Sequence, residues 1–236
     1  MTFDWNYFFS TLWEAVAGIP TTLLITLVAM VIAVPLGLII ALSRLNSVPV
    51  LKQLSTLYLS FVRGTPLVVQ IFIVYNSMPS LMNVICKALS IEIDVFSINP
   101  LYYAFAVFGL NTAASLAETF RSALNAVNKG QLEAGLSIGM TSFKTYMRII
   151  FPQAFLIAIP DMCTVTLSLI KATSLSYIMT VREITGRAKL LANIGYNYIE
   201  TYLDILIVYL VLCLTLEFVF KTAENRMKKF RGAIVQ

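Results

Sequence analysis

Residues 15–43 read AVAGIPTTLLITLVAMVIAVPLGLIIALS, a run without a single charge. A helix needs about 20 apolar residues to cross about 30 Å of hydrocarbon, so this run spans a membrane with length to spare. The same reading applies on either side of the next charges, at 64–86 and 95–117, which are also uncharged. Residues 149–170 carry only Asp161, and 205–220 only Glu217. The pattern predicts an all-α integral membrane protein with five transmembrane helices, near 18–43, 58–84, 99–120, 151–172 and 199–221.

Composition agrees. The chain has 236 residues, 58% hydrophobic and 12% charged, with a mean hydropathy of +0.82, against about 25% charged in a soluble domain. A soluble fold, a disordered tail and a collagen-like fibre are all disfavoured. No histidine is present, which removes His-based triads and two-histidine zinc sites. Cys86, Cys163 and Cys213 lie far apart without metal-ligand spacing, and read as small hydrophobes. No metal site is expected.

A net charge of +5 and a pI of about 9.1 would suit a nucleic-acid partner, but the basic residues flank the apolar runs instead. With the N-terminus outside, the inner side holds Arg44, Lys52, Arg63, Arg121, Lys129, Lys144, Arg148, Lys221, Arg226, Lys228, Lys229 and Arg231. The outer side holds only Lys87, Arg182, Arg187 and Lys189. The excess inside sets N-out and C-in. Residues 1–16, with Trp5, Phe8, Phe9, Leu12, Trp13 and Val16 at helical spacing, predict an amphipathic helix on the outer surface. The basic tail 223–236 either lies on anionic lipid or is a solvated charged face. The 173–198 segment, apolar and then charged, is a candidate to re-enter the membrane. An odd number of spans without an internal repeat calls for a second copy or a paralogue.

Between the third and fourth spans, on the inner side, the chain reads Glu133-Ala134-Gly135, three residues, Gly139, nine residues, Ile149, then Phe151-Pro152. This is a short helix with an exposed acid, a sharp glycine turn, and a helix entering the bilayer at a proline. The spacing resembles the EAA loop of importer permeases in the ATP-binding-cassette superfamily, here 129–152, with Gly135 and Phe151 replacing alanine and leucine. Gly135 should loosen its helix by roughly 1 kcal/mol.

Other segments are similar to the branch importing polar amino acids of the His, Glu, Gln, Arg and cystine type. They are Gly18-Ile19-Pro20-Thr21-Thr22-Leu23, Arg63-Gly64-Thr65-Pro66 with Gln70, Asn111-Thr112-Ala113-Ala114 with Glu118 and Arg121, and Lys171-Ala172-Thr173-Ser174-Leu175. Ala172 and Thr164-Val165 depart from the family pattern, so the substrate transfers least. The resemblance implies a type I importer permease domain over 17–222 in a bacterial cell membrane. It also implies a separate ATPase gripping Glu133, Ala134, Gly135 and Gly139, and an extracytoplasmic amino-acid-binding protein. No G-x-x-x-x-G-K-[ST] loop is present, so ATP and Mg belong to the partner ATPase and this chain is not itself an enzyme.

Lys171, within a span, is either a path residue with Thr173 and Ser174 as hydroxyl partners or a snorkelling lysine. Asp161, one residue after Pro160, pairs with a cationic substrate, with Lys171 or with another permease charge. Gln70, seven residues after Arg63 and on the same helix face, and Asn111 line the path or hydrogen-bond across helices. Glu118–Arg121 and Glu217–Lys221 are expected as structural ion pairs. A channel-like oligomer would need a polar stripe along one helix, and none is evident from sequence. A coupling or scaffold subunit would leave Lys171 unexplained.

Overall fold

The computed structural model describes residues 3–45, 49–128 and 130–234, with side chains through residue 226. Lys129 and the side chains of Lys228, Lys229 and Arg231 lie outside the described residues. Every extended element among the described residues is helical. Four stretches are long and apolar enough to cross a membrane: Trp5–Leu45, Leu67–Ala88, Ser142–Met179 and Tyr198–Arg226.

At the centre stand α2 (Ile19–Leu45), α5 (Pro100–Ala126) and α8 (Phe151–Ala172). Ala29, Ala33 and Ala41 of α2 and Ala113, Ala114 and Ala117 of α5 are buried, so their backbones approach closely. A Cβ on Gly37 would stand 3.0 Å from Leu116. The run at 95–117 falls on α5 but lacks the hydropathy of the other four, and its packing explains why. Fourteen of its 27 residues are buried in the protein, so α5 meets helices rather than lipid and can carry Asn111, Thr112, Ser115 and Thr119.

The stretch expected as one helix over 58–84 is two, α3 (Pro49–Gly64) and α4 (Leu67–Ala88). Pro66 has no N–H to donate and excludes the helical conformation at Thr65. Gln70 and Arg63 therefore do not share a helix face. The fourth span is α8, with the limits read from sequence, and proline occupies its first turn.

At the other end, α1 (Trp5–Ala17), α9 (Ile184–Gly195) and the start of α10 (Tyr198–Ile234) form a three-helix junction. The amphipathicity of α1 is inverted relative to a soluble helix. Trp5, Phe9 and Trp13 are exposed, while Thr11 and Ala15 are buried. The inward face is polar and small: Tyr7 Oη meets Thr201 Oγ1 at 3.3 Å, Arg187 pairs with Glu14 at 3.1 Å, and Asp4 N–H donates to Glu200. Gly18 follows α1 where Glu183 and Ile184 lie against the chain, and a Cβ there would stand 2.4 Å from Ile184 N.

Candidate functional site

The conspicuous motif folds as a helical hairpin. α6 (Gly130–Ser137) carries exposed Glu133 and Ala134 and ends in a turn where Gly139 has φ +82° and Met140 N–H donates to Gly135 O at 3.0 Å. A left-handed glycine with that bond is the standard stop for a helix. Thr141 then caps the short α7 (Ser142–Thr145), and a π-helical turn, Tyr146–Ile150, leads into α8. Gly135, expected to loosen α6 through its low helix propensity, also has a packing role. It is buried against Thr145, whose Cγ2 and Oγ1 would lie 2.5 and 2.6 Å from a Cβ. The glycine is a packing requirement of the hairpin. Around the turn, Ile138 and Phe143 are 76% and 73% exposed. The turn thus presents two large apolar side chains at the tip of the hairpin. Sequence reading missed them because two isolated apolar residues make no periodic pattern.

Beside the hairpin's root lies an ionic node. Glu118 pairs with Arg121 at 2.8 Å as expected, and also with Arg44 at 2.5 Å and Arg63 at 3.5 Å. One carboxylate thus joins α2, α3 and α5. Arg44 and Arg63 sit in the last turns of their helices, where the helix dipole favours cations. The expected Glu217–Lys221 pair is absent among the described residues; both side chains are exposed, and an exposed i,i+4 pair is worth too little to fix two flexible side chains.

Above the node, a cavity of about 240 Å³ opens between α5 and α8, lined by Asn111, Thr112, Ser115, Thr164, Ser168 and Ala172 among others. Gln70 and Asn111 are brought together: Asn111 Nδ2 donates to Gln70 Oε1 at 3.1 Å. Gln70 Nε2 in turn donates to Val62 O and to Thr65 across the α3–α4 break.

Asp161, Thr164, Ser168 and Lys171 recur at helical spacing and are all exposed, so α8 does carry a polar stripe. The expectation of none is corrected. Thr and Ser were passed over as neutral fillers, although their spacing between the two charges was the available signal. Asp161 has no ion-pair partner among the described residues, contrary to the expected pairing with Lys171. Ten residues separate them, or about 15 Å of helix.

Thr173 and Ser174 do not join Lys171 around an open site. Both lie in a 3-10 segment, Thr173–Met179. Thr173 is fully buried and donates to Ile170 O at 2.7 Å; Ser174 donates to Lys171 O at 2.8 Å. Ser176 and Met179 of the segment are also buried, so it packs into the protein directly after the Lys171 end of the α8 stripe. Beyond it, buried Glu183 caps α9 by accepting from the N–H groups of Thr185 and Gly186, and accepts from Tyr209 Oη at 2.9 Å.

Residues 33–229 match the family described as binding-protein-dependent transport system inner membrane component. The probable amino-acid permease protein YxeN of Bacillus subtilis is 40% identical, with 97% of each chain covered. The L-cystine transport system permease protein TcyL of the same organism is 36% identical over 99% of this chain and 95% of its own. A crystal structure of an amino acid ABC transporter with histidines superposes with a TM-score of 0.80 at 27% identity, over 96% of this chain and all of that one. The chain therefore belongs to the binding-protein-dependent transport system inner membrane components, as a multi-pass bacterial membrane protein.

Proposed function

We propose that this chain is the permease subunit of an ATP-driven amino-acid importer and crosses the membrane five times, N-out and C-in. The spans are α2, the α3–α4 pair, α5, α8 and α10. Residues 1–16 form an outer interfacial helix whose aromatic face meets lipid, 17–222 the permease domain, and 223–236 a basic cytoplasmic extension. The observation that supports the reading is the cavity between α5 and α8, whose lining mixes Asn111, Thr112, Ser115, Thr164 and Ser168 with Leu67, Phe108, Val165 and Leu169, beside a helical hairpin before α8, read as the docking element, and a buried 3-10 segment after it, read as a plug. The names of the relatives support amino acids as the cargo.

On this reading a separate ATPase, which holds ATP and Mg, grips the hairpin through Glu133, Ala134, Ile138 and Phe143, with Gly135 and Gly139 setting its shape. An extracytoplasmic binding protein delivers substrate to the outer face. The path is lined by Asn111, Thr164 and Ser168, with Lys171 offering a positive charge to an amino acid's carboxylate and Asp161 a negative charge at a separate level about 15 Å along α8. A second permease, copy or paralogue, completes it. In a symmetric pair each charge near the axis meets its own copy at the same depth, so countercharge comes from substrate or from a non-identical partner. The plug argues for alternating access over an open channel.

The test is uptake of labelled amino acids by the complex reconstituted with its ATPase and binding protein. Glu133→Ala and Gly139→Val should abolish uptake and substrate-stimulated ATP hydrolysis while leaving membrane insertion intact. Normal uptake by both variants would overturn the coupling assignment.

A further inference from the structure

The walls of the α5–α8 cavity carry no charge. Every side chain that lines it, on α4, α5 and α8, is uncharged. The charges stand beyond its ends. On α8, Asp161 precedes Thr164 by three residues and Lys171 follows Ser168 by three. On α5, Glu118 follows Ser115 by three and is held by Arg44, Arg63 and Arg121.

The hydroxyls in these walls differ from those elsewhere in the spans. Thr26, Thr166 and Thr215 each donate to the carbonyl four residues earlier, at 2.8, 2.8 and 2.7 Å. That back-bond is the usual local partner of a hydroxyl within a helix. Thr112, Ser115 and Ser168 make no such bond and have no hydrogen-bond partner among the described residues. Their hydrogens are available to the cavity, as is the second N–H of Asn111, whose first goes to Gln70. Thr164 gives its hydrogen to Pro160 O at 3.2 Å and offers lone pairs only. The walls thus hold both donors and acceptors, all neutral.

We propose that this cavity selects the cargo, and that the cargo is an amino acid whose side chain is uncharged and hydrogen-bonding, of the amide or hydroxyl class. The proposal rests on the importer reading above, with Lys171 taking the α-carboxylate. Measured along α8 from Lys171, Ser168 lies about 4.5 Å away, Thr164 about 10.5 Å and Asp161 about 15 Å. A side chain of moderate length therefore ends inside the cavity, short of Asp161. A guanidinium, ammonium or second carboxylate there would lose water and meet no countercharge. An aliphatic side chain would leave the free hydroxyls unpaired, and a site built to hydrogen-bond rejects the analogue that cannot. An amide or a hydroxyl meets both conditions.

On the importer reading the binding protein also selects cargo, so the test reads the permease without it. The complex of permease and ATPase in lipid nanodiscs is equilibrated with tritiated glutamine, and unlabelled amino acids compete. Asparagine and serine should displace the label, while arginine, glutamate and leucine should each need at least about tenfold more. Ser168→Ala should weaken glutamine about fivefold, the value of one neutral hydrogen bond. Ser168→Asp, which sets a carboxylate in the wall, should weaken glutamine and admit tritiated arginine, a gain that misfolding cannot produce. Arginine, glutamate or leucine competing as well as asparagine would overturn the cargo class. Unchanged glutamine affinity in Ser168→Ala, or a Ser168→Asp complex that still refuses arginine, would overturn the cavity's part in selection. Loaded binding protein is then added to the same preparation and ATP hydrolysis recorded. Stimulated hydrolysis without any amino-acid binding would sink the cavity proposal and leave the importer reading standing. Absence of both stimulation and binding would sink the importer reading, and the proposal with it.

Discussion

Gln70 and Asn111 sit on helices that the sequence presents as separate spans, yet their amides meet at 3.1 Å at the mouth of the α5–α8 cavity. Gln70 is buried, and its N–H groups hold the carbonyls of Val62 and Thr65 where Pro66 interrupts the helix. It therefore secures the chain break and orients Asn111 at once. Gln70→Leu should destabilise the complex by about 1–3 kcal/mol, because buried acceptors lose their donor. Asn111→Leu should cost less stability and more transport. Thermal midpoints and initial uptake rates of the two variants check the contrast; equal profiles would contradict it.

Gly135→Ala forces a Cβ to within 2.5 Å of Thr145. Overpacking of this kind costs about 1–3 kcal/mol, and it falls on the hairpin proposed to dock the ATPase. Co-purification of the ATPase should drop, and Thr145→Ala in the same chain should restore much of it. Failure of the second change to rescue would show that helix propensity, not contact, governs position 135.

Glu118 balances three guanidiniums, whereas Arg63 is only the most exposed of the three. Glu118→Gln leaves three cations together and should lower the thermal midpoint by several degrees. Arg63→Gln, on a side chain 60% exposed, should change it little. Differential scanning fluorimetry on the two variants decides whether the carboxylate is the hub.

Lys171 is exposed on the α8 stripe and has no anionic partner among the described residues. If it meets the carboxylate of the substrate, Lys171→Gln should raise the KM for uptake at least about tenfold, while Lys171→Arg retains most of the affinity. A near-normal KM for the glutamine variant would return the lysine to a snorkelling role.

The five-span topology predicts opposite sidedness for two exposed positions. In a chain whose native cysteines are replaced, a cysteine at Glu92 should react with a membrane-impermeant maleimide in intact cells. One at Gln131 should react only after permeabilisation. Labelling of position 131 from outside would reverse the orientation.

Charge spacing made α8 and α10 legible, since a lipid-facing helix must be apolar along its length and its ends show as charges. It misled at Pro66, because an uncharged run continues through a break whose hydrogen bonds come from a distant glutamine. It also undervalued α5, whose polar residues are satisfied by other helices. The hairpin's turn could be read from Gly139, while the role of Gly135 could not, because the contact that requires it comes from Thr145. Glu183 and Tyr209 gave no signal for a related reason. An acid in a loop and a tyrosine in a span look ordinary until the fold buries them side by side.

The inward face of α1 has a consequence for how the chain is made. Its polar partners, Arg187, Glu200 and Thr201, lie 173, 196 and 194 residues later in the sequence. At about 5–20 residues per second, translation leaves α1 without them for about ten to forty seconds. During that interval its tyrosine, threonine and glutamate face either lipid headgroups or the insertion machinery. The first helix to emerge is thus among the last to be seated, because its junction can close only once the chain has been made through Thr201.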